Sequence, residues 1–179
     1  MKKRVLCLLM DGFEEAEMVT PVDMLRRAEC EVVIAAVGEP TATGKCGIKV
    51  VADTCLSKVD PSGFDLLLIP GGPAVMALLS DGRAAGLAKD FASAGKPVAA
   101  ICAAPLILKE AGLLEGREFT AWYGVRDQLG AGCIEARVVS DSGIITSRGA
   151  GTALDFGLEL VATLCGREVA DKVAREVMA

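Results

Sequence analysis

The chain has 179 residues, 52% of them hydrophobic and 24% charged, with a net charge of −5. This balance excludes a disordered chain and gives enough length for one substantial core, while the acidic excess excludes the basic surface that nucleic acids require. Histidine is absent, which excludes Ser-His and Cys-His catalytic pairs, histidine metal ligands and imidazole acid/base chemistry.

Taken in order, the elements alternate between strands and helices. Lys2-Lys3-Arg4 leads into RVLCLLM (4–10), a short apolar run that reads as a buried strand. Its apolar part is too short for a signal peptide or a membrane span, so a cytoplasmic location is expected. Thr20-Pro21-Val22-Asp23 has the form of a helix start, with Thr as cap and Pro at the first position. Residues 14–19 would then be a separate turn leading into it. EVVIAAV (31–37) is a second strand, and the Gly-containing GKCGIKVVADTCL suits a small hairpin. FDLLLIP (64–70) is a third strand ending at Gly71-Gly72, residues 74–95 form a helix, and KPVAAI (96–101) is a fourth strand. CAAPLILKEAG (102–112) reads as a helix closed by Gly112. EARVVSDSGIITSR gives two strands around Asp141-Ser142-Gly143, and two helices follow. This alternation predicts one three-layer α/β/α sandwich domain over residues 1–179, with a mostly parallel, doubly wound sheet.

In an open parallel sheet, sites form beyond the carboxyl ends of the strands. Three unusual loops fall there: Asp11-Gly12 with Glu14, Glu15 and Glu17; Gly71-Gly72; and Cys102. They are therefore expected to meet in space. Ala100-Ile101-Cys102-Ala103-Ala104 has the small-x-nucleophile-x-small pattern of a nucleophile elbow. A helix N-terminus behind Cys102 would lower its pKa below the free value near ~8.5, and the N–H groups of Gly72 and Ala103 could hold an oxyanion. The alternative is a cysteine that only packs on a core strand. Seven cysteines, at 7, 30, 46, 55, 102, 133 and 165, include no CxxC pair. Most are expected to be free thiols in a reducing compartment. Cys7 and Cys165 read as packing residues, and Cys30, Cys46, Cys55 and Cys133 as incidental thiols.

DGFEEAEMVTPVDMLRRA, LLLIPGG, AAICAAPLIL, GLLEG and ITSRGAGTALDFGLEL together resemble the ThiJ/PfpI superfamily, in the branch of Parkinson disease protein 7 and YajL. The likeness runs over essentially the whole chain. It implies a flavodoxin-like, class I glutamine amidotransferase-like fold, a homodimer and no cofactor or metal. It also implies that Cys102 is the reactive cysteine and Glu17 its partner, with Gly72 and Ala103 binding an oxyanion. An ionised carboxylate would repel a thiolate, so Glu17 helps only when protonated. The other reading of Glu17 is a solvated acidic face shared with Glu14 and Glu15. The resemblance places Arg27 and Lys49 near positions where relatives carry basic residues around an anion or dimer contact. It puts Arg27 at the pocket or, alternatively, makes it a surface helix residue, and Arg148 matches a recurrent, structural arginine. Many members place a histidine about where Trp122 falls here, so Trp122 either walls the pocket or, as a lone Trp more often does, only packs. Protease-like acyl transfer is disfavoured.

The resemblance implies cofactor-free glyoxalase or deglycase chemistry on methylglyoxal, glyoxal or their adducts with protein side chains. The alternative is a non-enzymatic redox sensor or chaperone acting through oxidation of Cys102. Flavin binding is disfavoured because DGFEEAE replaces a Gly-rich phosphate loop with acidic residues.

Overall fold

β1 (Arg4–Leu9) is buried from Val5 onward because it lies mid-sheet, between two parallel neighbours. These are β2 (Glu31–Ala36) and β6 (Leu66–Ile69). The computed structural model describes residues 2–179. β5 (Thr54–Cys55) extends the sheet beyond β2. Beyond β6 come β7 (Val98–Ile101), then β9 (Ile144–Ser147), and last β8 (Val138–Asp141), which pairs antiparallel with β9. The seven-stranded order is β5-β2-β1-β6-β7-β9-β8. β3 (Thr41–Thr43) and β4 (Lys49–Val51) make the separate antiparallel hairpin that the glycines suggested.

Helices cover both faces of the sheet, as strands that are apolar on both sides require. α1 (Glu15–Arg27), α6 (Ala153–Cys165) and α7 (Arg167–Glu176) close one face over Leu9, Leu68 and Ile101. α2 (Ala74–Asp81), α3 (Arg83–Ser93), α4 (Pro105–Glu110) and the short α5 (Arg126–Leu129) close the other over Leu8, Leu67 and Ala100. This is the mostly parallel, flavodoxin-like α/β architecture expected.

Three helix boundaries differ from expectation. α1 begins at Glu15, not near Pro21, and Pro21 sits inside it. The Glu14 side chain caps the helix by accepting from the Glu17 N–H at 3.0 Å, and Met18, Val22 and Leu25 bury one stripe. That burial outweighs the missing proline N–H, whose usual cost is about 3 kcal/mol. The span 74–95 is two helices, because Gly82 turns left-handed at φ +78° and ends α2. The third concerns Cys102, which lies in a turn three residues before α4 begins at Pro105. No helix among the described residues is long and apolar enough to cross a membrane.

Candidate active site

The carboxyl ends of β1, β6 and β7 stand side by side, as the registers Cys7↔Leu68 and Ile69↔Ala100 require. Backbone hydrogen bonds then join the loops that follow. The Glu14 N–H donates to the Gly71 carbonyl at 3.1 Å, and the Ala74 N–H to the Gly12 carbonyl at 3.1 Å. The loop after β7 is fixed from two sides, with Cys102 N–H donating to Ser147 O and Trp122 N–H donating to Cys102 O, both at 2.9 Å. Three segments distant in sequence become one rigid floor.

Cys102 has φ +65°, a left-handed conformation that a residue with a Cβ adopts only where its surroundings enforce it. This is the sharp strand-to-helix turn of an elbow, and it lifts the sulfur off the sheet into a cleft. Gly71 is wedged between the two candidate groups. A Cβ there would stand 2.3 Å from Glu17 Oε2 and 2.6 Å from the Cys102 Cβ. At Gly72 (φ +91°) a Cβ would meet the Gly12 carbonyl oxygen at 2.5 Å. Glycine is required at both positions by close approach.

Glu17 is only 1% exposed, so it belongs to no solvated acidic face. Its Oε2 is buried with no hydrogen-bond partner. Burial is the chief cause that lifts its carboxyl from 4.5 to about 7, and the Glu14 charge adds to this. The Cys102 thiol, Gly71 N–H and Lys45 offset part of the rise. The Cys102 thiol is itself pushed up, to about 12, by burial first and then by the Glu17 charge and hydrogen bond. Gly72 and Ala103 N–H groups oppose this but do not overcome it. The lowered thiol pKa expected from a helix N-terminus is therefore corrected. Cys102 is not at a helix end, and burial beside a carboxylate favours the neutral thiol. The two groups titrate as a pair that retains a proton at neutral pH, and a thiolate forms there at the expense of placing the proton on Glu17.

Cys102 and Glu17 open into a cleft of about 510 Å³ whose walls include Gly72, Ala103, Leu106, Trp122, Tyr123 and Lys45. Trp122 lines this cleft and is 39% exposed. Arg27 does not reach it. It pairs with Asp23 at 3.1 Å, one turn back on α1, because the helix carries it to the end opposite Glu17. Lys49 lies exposed on β4, away from the cleft. Arg148 lines a neighbouring hollow of about 420 Å³ with Arg126 and Arg137. Among the described residues, Glu14, Glu15 and Cys46 offer three possible metal-ligand atoms within 4.8 Å of one another. Glu14 Oε2 already accepts from the Glu17 N–H, and Glu15 Oε1 from the N–H groups of Cys46 and Ile48. The two Glu15 bonds clamp the β3–β4 hairpin onto α1.

Residues 3–163 match the DJ-1/PfpI family. The chain belongs to that family. It is 37% identical over 164 residues to a Pyrococcus abyssi member named as a deglycase, covering 90% of this chain and 99% of the relative. It is 40% identical over 178 residues to DJ-1 homolog A of Arabidopsis thaliana, covering 96% of this chain but only 45% of that protein. The chain thus spans under half the length of the plant relatives it matches. Among solved structures, oxidised Toxoplasma gondii DJ-1 superposes with TM-score 0.94 at 34% identity, covering 98% of both chains. Drosophila melanogaster DJ-1beta gives TM-score 0.94 at 33% identity, over 100% of this chain and 99% of that one.

Within this DJ-1/PfpI site, three contributors were not legible in sequence. Lys45 reaches the cleft from the hairpin, whose Lys45 N–H bonds the Phe13 carbonyl at 2.8 Å. Tyr123 follows Trp122 in a segment with no periodic pattern. Gly149 comes from the turn after β9, where a Cβ would lie 3.9 Å from Glu17 Oε1. The Gly149-Ala150-Gly151 run beside Arg148 was the available signal for the last.

Proposed function

We propose that this DJ-1/PfpI chain is a cofactor-free glyoxalase or deglycase that acts on methylglyoxal, glyoxal or their adducts with Cys, Lys and Arg side chains. The observation that carries it is the pairing of a thiol on a strained elbow with a buried carboxyl of pKa about 7, in an open cleft. The deglycase names of archaeal relatives that it matches end to end support the reading.

In this reading the Cys102 proton passes to Glu17, and the sulfur attacks the aldehyde carbon of the dicarbonyl to form a hemithioacetal. The oxygen that becomes negative lies against the Gly72 and Ala103 N–H groups. Glu17 returns the Cys102 proton to that oxygen. As a carboxylate it then takes the proton from the former aldehyde carbon and delivers it to the neighbouring carbonyl carbon, while the hydroxyl proton passes to the neighbouring oxygen. This leaves a thioester of the 2-hydroxy acid. Water cleaves that thioester and returns the thiol, so dicarbonyl plus water leaves as lactate or glycolate. On a protein adduct, the released side-chain amine, guanidine or thiol is the leaving group. A carboxyl poised near neutrality suits these proton transfers. No imidazole is needed, and the absence of histidine speaks against peptide-bond cleavage.

Purified chain incubated with methylglyoxal should release many equivalents of lactate per subunit, followed by NMR, and Cys102→Ser should abolish release. No turnover, or turnover that survives Cys102→Ser, overturns the proposal. Stoichiometric peroxide oxidation of Cys102 without turnover would favour the redox-sensor or chaperone reading. That second reading rests on the partly exposed position of Cys102. The proposal places the chain in the cytoplasm, a reducing compartment that suits the free thiols of this structure.

A further inference from the structure

We infer that Cys30 and Cys165 form a second redox centre, a reversible disulfide that ties the C-terminal ends of α1 and α6 together. Their Sγ atoms are 3.6 Å apart, although 135 residues separate them in sequence. Cys30 follows the last turn of α1 and leads into β2, and its N–H donates to the Leu25 carbonyl at 3.0 Å. Cys165 is the last residue of α6. The two helices pack along their length, and Gly157 allows the approach. A Cβ there would lie 2.9 Å from both the Pro21 Cα and the Met24 Cγ. The thiols are therefore held against each other by the helix pair.

The two sulfurs are not equivalent. Cys165 is half-buried, whereas Cys30 is buried at 4% exposure. Both line an open hollow of about 680 Å³ that also carries Lys2, Lys3 and Arg26. A hydroperoxide entering there meets Cys165 first, because it is the more exposed of the two sulfurs. The Cys165 sulfur bonds to one peroxide oxygen as the O–O bond breaks. Cys165 becomes a sulfenic acid and the other oxygen leaves as water after protonation. The Cys30 sulfur then displaces the sulfenic hydroxyl, giving up its proton so that a second water leaves and the S–S bond forms. Two thiols are oxidised by two electrons in all, and one peroxide is reduced to two waters.

Burial raises the Cys30 thiol to about 12, aided by the neighbouring Cys165. This suits Cys30 to the resolving step, where proximity offsets its small thiolate fraction. The sulfurs, 3.6 Å apart, must close to the bonded distance of about 2 Å. The link lies far from the cleft and uses neither Cys102 nor Glu17, so it does not depend on the proposed chemistry.

The test is to treat the chain with a small excess of hydrogen peroxide, block free thiols and digest without reductant. The expected product is one linked peptide pair carrying Cys30 and Cys165, lighter by two hydrogen atoms and returned to free thiols by dithiothreitol. Cys165→Ser should remove that pair and leave Cys30 free to alkylate after denaturation, and Cys30→Ala should let Cys165 oxidise further. In a Cys102→Ser chain the linked form should melt at a higher temperature than the reduced form, because a long closed loop restricts the unfolded chain. Both residues left as free thiols, or linked instead to Cys46 or Cys55, would overturn the inference. A link that forms without raising the melting temperature would overturn its role as a clamp.

Discussion

Glu17 is almost wholly buried, and burial pushes its carboxyl up to about 7. A folded pKa above the ordinary 4.5 means the native state binds more protons than the unfolded one between those values. Stability is therefore lost as pH rises through that window, by about 3 kcal/mol once the carboxyl is fully ionised. Glu17→Gln cannot ionise, so its denaturation midpoint should overtake that of the wild type as pH goes from 4.5 to 8. Comparing the two proteins at each pH cancels the other carboxylates. Parallel pH profiles would show that Glu17 is not held protonated by the fold. The same amide can donate a hydrogen bond to sulfur but cannot carry a proton. Glu17→Gln should thus slow dicarbonyl turnover on the order of 10²–10⁴-fold while leaving Cys102 open to alkylation. Gly71→Ala should hit both groups at once, because its Cβ falls within 2.3 Å of one carboxyl oxygen and 2.6 Å of the Cys102 Cβ. We expect loss of turnover in a protein that still folds, read by methylglyoxal assay and circular dichroism.

Two elements decide whether these side chains are presented correctly. α1 must run unbroken from Glu15 through Pro21 to keep Glu17 in its first turn facing the sheet end, and its contact with α6 supports it. Gly157→Ala places a methyl 2.9 Å from the Pro21 backbone, which cannot give way without moving the helix. Overpacking of this kind costs about 1–3 kcal/mol, so the urea midpoint should fall. An unchanged midpoint would mean α1 and α6 slide apart freely. The turn from β7 into α4 is the second element. Pro105 starts α4 and leaves Cys102–Ala104 outside it, so the strained Cys102 backbone is held by Ser147 and Trp122 and not by the helix.

The molecule as a whole leaves apolar side chains uncovered beside α1. Val19 is 49% exposed on that helix, and Ile48 and Val51 are 58% and 70% exposed on the adjoining hairpin. Isolated exposed residues are ordinary; these lie on α1 and on the hairpin that the Glu15 side chain ties to it. We expect a homodimer whose apolar surface includes them. Sedimentation with reductant present should give a dimer at micromolar concentration, and Val51→Asp should weaken it. A monomer in the wild type would refute the expectation.

Much of this was written in local pattern. Each apolar run became a strand because both faces of a parallel sheet must be dry, and the loops that met were the ones at strand ends, as alternation requires. Ala100 and Ala104 around Cys102 offer the elbow beside a plain packing cysteine, and the φ of +65° at Cys102 shows the turn that small residues there permit. The pKa of Cys102 was not legible, because desolvation and the Glu17 charge arise only when distant segments enclose the sulfur. Arg27 was misplaced and Lys45 missed for a similar reason. Helix phase sends one to Asp23, while a hairpin joined through Phe13 brings the other to the cleft. Cys30 reads in sequence as an incidental thiol and Cys165 as a packing residue, and only the packing of α1 on α6 sets their sulfurs 3.6 Å from each other. Local sequence dictates which segments bury themselves and where they turn; which side chains then share a dielectric, a proton or an electron pair is decided by tertiary packing.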